Sequence, residues 1–531
     1  MKRDFSLLQN QQFDLLVCGG GIYGAWTAYD ATLRGLKVAI VEQGDWGNAT
    51  SSASSKLIHG GLRYLETYDF KLIRKSLKER QILLRVAPHL VWPLRFGIPV
   101  FTHSRNNRLQ LKVGLVLYDF FSGDSNSAMR HRYFNHNNFI KHFPLLADKS
   151  LKSGFTYADA QTDDARLVLE LIAGAIEAGA CCVNYCRLTH LLETNGTATG
   201  ANIRDQLTQT EQAIYAKQIV YATGKWLADE EQSLHWFHLT KGIHLVMPPV
   251  LKDEALLLTA KSDGRVFFML PWYGFTLLGT TDTKYSENSE KITVDATDIT
   301  YLLAAANDYL KTPWTKTDIL GHFAGVRVLK QNAQSAYSDK PSSISRDWEL
   351  KTTENGVHYS IGGKLTSSRS DAANIVDTVC KKLSITVTGS THKKAFPWAP
   401  QENFSDWSVS MQAYAIQLGV DKEAAKWLVR RHGTQVSEIL HSIENEPDLA
   451  MRIIPSLPFI NADLIHCAST EMVIHLDDLI RRRLPLLILA QLTENDLHQI
   501  ATRIASTMHW DEATINQEIK HCREQWITHP I

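Results

Sequence analysis

The sequence predicts an α/β fold joined to an all-helical C-terminal region, and three observations carry that prediction. Near the start, the apolar run Phe13-Asp14-Leu15-Leu16-Val17-Cys18 leads directly into three glycines, a helix-like segment and a second apolar run. Further on, residues 265–270 and 277–282 are β-patterned runs around the turn residues 271–274, the signature of a hairpin. Beyond Lys393-Lys394-Ala395-Phe396-Pro397-Trp398-Ala399-Pro400, a linker with two prolines, the pattern becomes helical. A chain of 531 residues is too long for one hydrophobic core, so two or three domains are expected.

The N-terminal unit comes first. Gly19, Gly21 and Gly24 have the G-x-G-x-x-G spacing directly after the first predicted strand. The first glycine permits a tight turn, the second lets a pyrophosphate approach the backbone, and the third allows close packing of helix on strand. Residues 25–34 have helical composition and end at Gly35, a natural C-cap. The start of that helix would aim free N–H groups and a positive dipole end at the pyrophosphate. A second buried run, Lys37-Val38-Ala39-Ile40-Val41, ends in Glu42, where an acid that binds a ribose hydroxyl belongs. Together these elements predict a dinucleotide site. NAD and FAD both use the fingerprint, which leaves the choice open.

The next stretch is GNATSSASSKLIHGGLRYL, residues 47–65. Its hydroxyl-rich half is too polar for a core, and its second half mixes apolar residues with His59, Gly60, Gly61 and Arg63. A flexible linker is one reading. A loop wrapped around a ligand that stays bound is the other, with Gly60 and Gly61 letting the main chain lie flat against a ring.

Composition limits the remaining classes. Lys plus Arg equals Asp plus Glu, 56 each, so no global field favours nucleic acid, and any anion must be held by a local cluster. Apolar content of 44% and charged content of 21% are those of an ordinary folded protein. Seven cysteines without a C-x-x-C pair suit neither a zinc site nor a disulfide framework, so no metal is expected and a reducing cytoplasm is. MKRDFSLLQNQQ lacks the apolar stretch of a signal peptide. No window reaches the ~20 apolar residues of a spanning helix.

The segment SSASSKLIHGGLRYLE resembles the signature of the FAD-dependent glycerol-3-phosphate dehydrogenases. Further blocks follow in that family's order: Asp163-Asp164-Ala165-Arg166-Leu167, Tyr221-Ala222-Thr223-Gly224, Lys241-Gly242-Ile243-His244, Leu278-Gly279-Thr280-Thr281-Asp282, Gly325-Val326-Arg327, Ile344-Ser345-Arg346-Asp347 and Gly362-Gly363-Lys364-Leu365-Thr366. The resemblance implies a flavoprotein that oxidises sn-glycerol 3-phosphate to dihydroxyacetone phosphate and passes electrons to quinone. It further implies a discontinuous Rossmann-like FAD-binding domain (13–95, 150–235 and 320–390), a mainly antiparallel β substrate domain (96–149 and 236–319) and a helical C-terminal domain (396–531). Peripheral contact with the inner face of the cytoplasmic membrane and a homodimer are the associations it allows.

The chemistry needs a phosphate cradle, a proton acceptor and charge stabilisation beside the flavin. Arg suits phosphate through its planar fork, and Arg63, Arg327 and Arg346 fall in matched blocks, with Tyr64 and Thr281 as further substrate contacts. His59 and His244 are the candidate proton acceptors; His59 is favoured because it shares a loop with Arg63. Lys364 is expected at a helix start by the flavin pyrimidine. FAD contacts are expected from Gly19, Gly21, Gly24, Glu42, Thr50, Ser51, Ser54, Ser55, Lys56, Ala222, Gly224, Gly363, Lys364, Leu365 and Thr366. Lys225, Val328 and Ser367-Ser368 depart from the family pattern, which has Pro, Pro and Thr-Tyr there. An oxidase using O2 and an amine or amino-acid oxidase of the same fold are the alternatives. In the last third, helices are expected over residues 422–432 and 471–484. Arg481-Arg482-Arg483 reads as a solvated helix face or a salt-bridge network. RNNRLQLKVGLVLYDFF, residues 105–121, reads either as an interfacial amphipathic element or as a buried helix.

Overall fold

The computed structural model describes residues 1–65, 68–102, 104–105, 107–123, 127–147, 149–229, 235–286, 292–331 and 347–527. The side chains of residues 63, 228, 229 and 527 lie outside that set.

The first sheet grows around the strand Gln12–Cys18, whose residues from Leu15 onward are fully or almost fully buried. A strand buried on both faces pairs on both edges. Val38–Val41 runs parallel on one side and Glu211–Tyr221 parallel on the other. His358–Gly362 and Cys181–Val183 extend the parallel core outward, and Trp348–Thr352 closes one edge antiparallel. Helices Ile22–Leu33, Asp164–Glu177 and Ser368–Lys382 pack together on one face around Trp26, Tyr29, Leu169 and Ile375. This is the expected Rossmann-like unit, and it is assembled from three separated parts of the chain.

The second sheet is antiparallel apart from one parallel contact, Glu254–Thr259 beside Val91–Phe101. Its centre is the hairpin Val266–Trp272 and Phe275–Gly279, turned by Tyr273 and Gly274 with φ of 48° and 84°, the left-handed pair that a tight hairpin requires. Leu151–Thr162 and Gly321–Lys330 also hydrogen-bond into this sheet. Boundaries at 150 and 320 assign both strands to the nucleotide-binding half, so the strand pairing moves the crossing points to between residues 41 and 57, 162 and 181, 221 and 237, and 330 and 348.

The C-terminal third is helical as expected. Lys422–His432 is stopped by Gly433 at φ +50°. The expected helix over 471–484 is not continuous: Met472 is left-handed at φ +52°, helix resumes at Leu476–Asp478, and the last turn, Leu479–Arg483, is π-helical. Arg481-Arg482-Arg483 is not a solvated face. Arg482 and Arg483 are buried in ion pairs with Asp45 and Asp478, and Arg481 lies 4.4 Å over the Trp526 ring.

Most of residues 105–121 falls in a 15-residue helix, Arg108–Ser122, opened by an Asn107–Gln110 capping box and closed by Gly123. Only one side of it is buried, through Leu115, Tyr118 and Ser122. Leu109 and Phe120 are 70% and 75% exposed, and Val113, Val116 and Leu117 are exposed beside them. No helix among the described residues is long and apolar enough to cross a membrane.

Candidate active site

A cavity of about 1570 Å³ runs from the carboxyl ends of the first sheet to the face of the second. That exceeds the ~300–1,000 Å³ of a small-molecule pocket and leaves room for a large cofactor with a small substrate.

The glycine loop forms one wall. Gly19 is at φ +106°, and a Cβ there would stand 2.6 Å from the Ala222 carbonyl oxygen; a Cβ on Gly24 would stand 1.8 Å from the Gly19 oxygen. Gly19 and Gly21 line the cavity, whereas Gly24 lies behind it and lets helix and strand pack closely. Gly21 caps a 12-residue helix whose first N–H, on Ile22, is met by Ser51 Oγ at 2.9 Å. Glu42 lines the cavity too. Its carboxylate accepts the Gly20 N–H at 2.6 Å and the Gly44 N–H at 2.9 Å; burial raises its pKa and those N–H donors oppose the rise. An anion-tolerant loop, a helix start and an acid at the second strand's end fit an adenine dinucleotide. Ala222 and Gly224 line the cavity from the end of the neighbouring strand, joined by Lys225.

The hydroxyl loop is a wall and not a linker. Thr50, Ser51, Ser54 and Ser55 all face the cavity. Thr50 Oγ1 donates to the Val326 carbonyl. Ser54 gives its N–H and its hydroxyl to Asp164 at 3.0 and 2.6 Å. Lys56, expected at the cofactor, is instead buried behind the loop, its ammonium donating to Asp164 and to the Ser52 carbonyl. A buried cation needs a buried anion, and Asp164 holds it away from the cavity.

At the second sheet, Arg327 lines the cavity. Its guanidinium donates to Thr280 Oγ1 at 2.8 Å and to the Thr281 carbonyl at 3.2 Å, and stands 3.4 Å from Asp282. A Cβ on Gly242 would lie 2.3 Å from it. Thr281, expected to touch substrate, is turned into the sheet, where its hydroxyl accepts the Ile243 N–H at 3.1 Å. Thr280 and Asp282 face the cavity in its place. His59 and Tyr64 line the cavity from the other side. The His59 ring stands edge-on to Phe268 with centroids 6.4 Å apart, and the His59 backbone N–H donates to Thr366 Oγ1 at 3.1 Å. Gly60 and Gly61 are not in the cavity lining: Gly60 is pressed against Tyr118 and Leu77, and Gly61, at φ +76°, lies against the Tyr64 ring. His244 is absent from the lining. It is buried, stacked on Phe323 at 4.8 Å, with Nε2 2.9 Å from Ser55 Oγ. Burial, and then the charges of Arg327 and Lys56, hold its pKa well below the usual imidazole range.

Gly363, Lys364, Leu365 and Thr366 complete the enclosure. Lys364 caps the turn that opens helix Ser368–Lys382, and its ammonium lies 3.8 Å over the Tyr64 ring. The departures Ser367 and Ser368 are buried and off the cavity, bonded to Asp371 and to the Leu365 carbonyl. Arg346 and the Arg63 side chain lie outside the described residues. The structure adds Arg265, Phe268 and Trp226 to the lining. Phe268 comes from the strand Val266–Trp272 and Arg265 from the residue before it, and Trp226 comes from the turn Gly224–Asp229 that follows Ala222; which of these side chains face the cavity is set by the fold and not by a local motif.

Comparison with known proteins agrees with this geometry. A family model described as FAD dependent oxidoreductase matches residues 14–368, and one described as the C-terminal domain of alpha-glycerophosphate oxidase matches 385–515. The chain is 35% identical to glycerol-3-phosphate dehydrogenase of Synechocystis over 91% of its own length and 90% of that protein's. It is 34% identical to aerobic glycerol-3-phosphate dehydrogenase of Bacillus subtilis over 85% and 84%. The crystal structure of glycerol-3-phosphate dehydrogenase from Bacillus halodurans complexed with FAD is similar with a TM-score of 0.78 at 27% identity, covering 98% of this chain and 96% of that one.

Two glycines at positive φ separate cavity geometry from backbone strain. Gly19→Ala sets a methyl group against the Ala222 backbone, which has no side chain to move aside. Gly35→Ala, at φ +83°, meets nothing within 4 Å and costs only the ~1–2 kcal/mol of a left-handed residue. The expected outcome is loss of bound dinucleotide in Gly19→Ala and retention in Gly35→Ala, read as nucleotide per purified chain. Equal content in both variants contradicts the assignment of the loop.

Proposed function

We propose, from the premise that this chain belongs to the family of FAD-dependent glycerol-3-phosphate dehydrogenases, that it oxidises sn-glycerol 3-phosphate to dihydroxyacetone phosphate. The observation that carries this reading is Arg327, fixed by Thr280, Thr281 and Asp282 on the wall of a cavity that also holds His59 and the dinucleotide fingerprint. A planar guanidinium held by its neighbours is pre-organised for a phosphate dianion. Arg63 and Arg346 are its proposed partners in that cradle.

FAD would be held by Gly19, Gly21, Glu42, Thr50 and Ser51 and would supply a two-electron acceptor for the hydride of carbon 2. The chain supplies the rest. His59 accepts the proton of the carbon 2 hydroxyl, and Tyr64 lies beside it on the same loop. Lys364, with the start of the following helix, places positive charge at its end of the cavity and so favours negative charge developing there. His244 holds Ser55 from behind the cavity wall.

Electrons leave to a membrane quinone. The support for this is the apolar face of helix Arg108–Ser122, flanked by Arg105, Arg108 and Lys112, a basic amphipathic element of interfacial type. Arg105, three residues before that helix, borders the cavity.

Anaerobic addition of sn-glycerol 3-phosphate is expected to bleach the visible flavin band, with glycerol inert. Arg327→Ala should keep its flavin and lose about 100-fold or more in kcat/KM, the weight of a charge-assisted contact. A bound flavin left oxidised by the phosphate ester returns the amino-acid oxidase reading to the front. Because the His244 pKa is depressed, this residue stays neutral through pH 6–8 and sets no ionisation there. His244→Asn should therefore leave the acid limb of the kcat/KM profile in place, and a shift of that limb would make His244 the proton acceptor. Leu109→Asp with Phe120→Asp should abolish co-sedimentation with anionic vesicles while keeping flavin reduction. Unchanged sedimentation, or full turnover with O2 alone, removes the quinone assignment.

A further inference from the structure

The dinucleotide wall of the cavity is not held by its own domain alone. Residues 42–47 close on the glycine loop at three points. Glu42 accepts the Gly20 N–H at 2.6 Å, the Gly47 N–H donates to the Gly20 carbonyl at 3.0 Å, and a Cβ on Gly20 would stand 2.4 Å from the fully buried Trp46 ring. The outer side of the same segment is gripped by the C-terminal region. Asp45, 1% exposed, receives Arg482 and both Nη atoms of Arg483, and one of these bonds measures 2.9 Å. Trp46 Nε1–H points at the Met472 sulfur at 3.3 Å. Arg483 also donates to the Glu471 carbonyl at 2.7 Å, and Asn184, next to the strand that flanks Glu42, donates to the Met472 carbonyl at 3.1 Å. Met472 itself is left-handed, a conformation that a non-glycine residue keeps only where its surroundings fix it.

We infer that the helical C-terminal region is a cofactor-retention element: through Asp45 and Trp46 it fixes the segment carrying Glu42, and so sets how tightly FAD is held, without touching the substrate end. Asp45, Arg482, Arg483 and Met472 are positioning residues, since none of them lines the cavity. The inference rests on FAD occupying the cavity. Its physical basis is that a buried carboxylate with two guanidiniums has one low-energy arrangement, and releasing it leaves a charge uncompensated. The bound-state shape of the Glu42 segment is therefore present before the ligand arrives, which is how pre-organisation raises affinity.

The experiment is titration of apoprotein with FAD, followed by flavin fluorescence, for the full chain and three variants. Asp45→Asn keeps the volume of the site and weakens the grip. Arg482→Met removes one guanidinium. Leu440→Ala is the control: it opens a cavity in a cluster made only of C-terminal side chains, and so loosens that region away from Asp45. The expected result is a Kd for FAD raised tenfold or more in Asp45→Asn and Arg482→Met and changed less than twofold in Leu440→Ala, whose thermal midpoint nevertheless falls. At saturating FAD, KM for sn-glycerol 3-phosphate stays within twofold in all three. Should Arg482→Met not fold, Asp45→Asn decides alone. An unchanged FAD Kd in Asp45→Asn overturns the inference, as does an equal loss in Leu440→Ala, which would reduce the region to general stabilisation. Wild-type apoprotein that binds no FAD overturns the cofactor reading instead.

Discussion

Asp164 is the carboxylate on which the site depends. It has no exposed side-chain surface, and it gathers the N–H and hydroxyl of Ser54 and the ammonium of Lys56. Its neighbours on the same helix start reach in other directions. Asp163 accepts the Tyr273 hydroxyl from the turn of the second sheet at 2.8 Å, and Arg166 pairs with Glu471 of the helical region at 2.6 Å. Burial alone would raise the Glu471 pKa; the charge and hydrogen bond of Arg166 outweigh it and hold that carboxyl down at about 2. Three residues within one helical turn thus join hydroxyl loop, sheet and C-terminal helices. Buried ion pairs of this kind add little net stability over apolar packing, but removing one partner is severe, about 3–5 kcal/mol. They fix geometry.

The other walls repeat the device. Asp159, buried, accepts the Gly60 N–H at 3.1 Å together with Arg80 and Tyr118, and so sets the path of the chain that carries His59. Asp371 accepts the hydroxyls of Tyr23 and Ser367 at 2.9 and 2.8 Å, while Tyr23 in turn receives the Lys364 N–H at 2.9 Å. Residues that face the cavity come mainly from loops and strand ends. The carboxylates that orient them come from strand and helix interiors or helix starts behind the wall.

The division between what sequence reveals and what it hides follows from this arrangement. Strand, glycines, helix and acid are contiguous, so residues 13–42 were readable directly. The hairpin around Tyr273-Gly274 was equally local. Lys56 and Thr281 sit among cavity residues in sequence, yet turn away, because their partners Asp164 and Ile243 are distant along the chain and close in space. Gly60 is expected to let the main chain lie flat against a ring, and what its α-carbon faces is Tyr118 and Leu77. The helix expected over 471–484 fails at Met472 for the same reason: contacts with Trp46, Asn184 and Asp45 override the local pattern. Arg265 and Trp226 lie in or beside stretches the sequence does single out, the 265–270 run and residues 221–224, yet that these side chains face the cavity is decided by the fold.

The strand order has a consequence during synthesis. Gln12–Cys18 is flanked by Val38–Val41 on one edge and by Glu211–Tyr221 on the other, and the second partner ends 180 residues after Val41. At about 5–20 residues per second, the ribosome delivers that partner roughly 10–40 s later. Throughout this interval the newborn N-terminal unit has an apolar strand with an unpaired edge, the kind of surface that recruits other chains. The glycine loop also lacks the Ala222 wall that shapes it, so even this part of the nucleotide-binding surface is incomplete until residue 222 has emerged. Chaperone occupancy of the nascent chain should therefore be concentrated between these two points of translation.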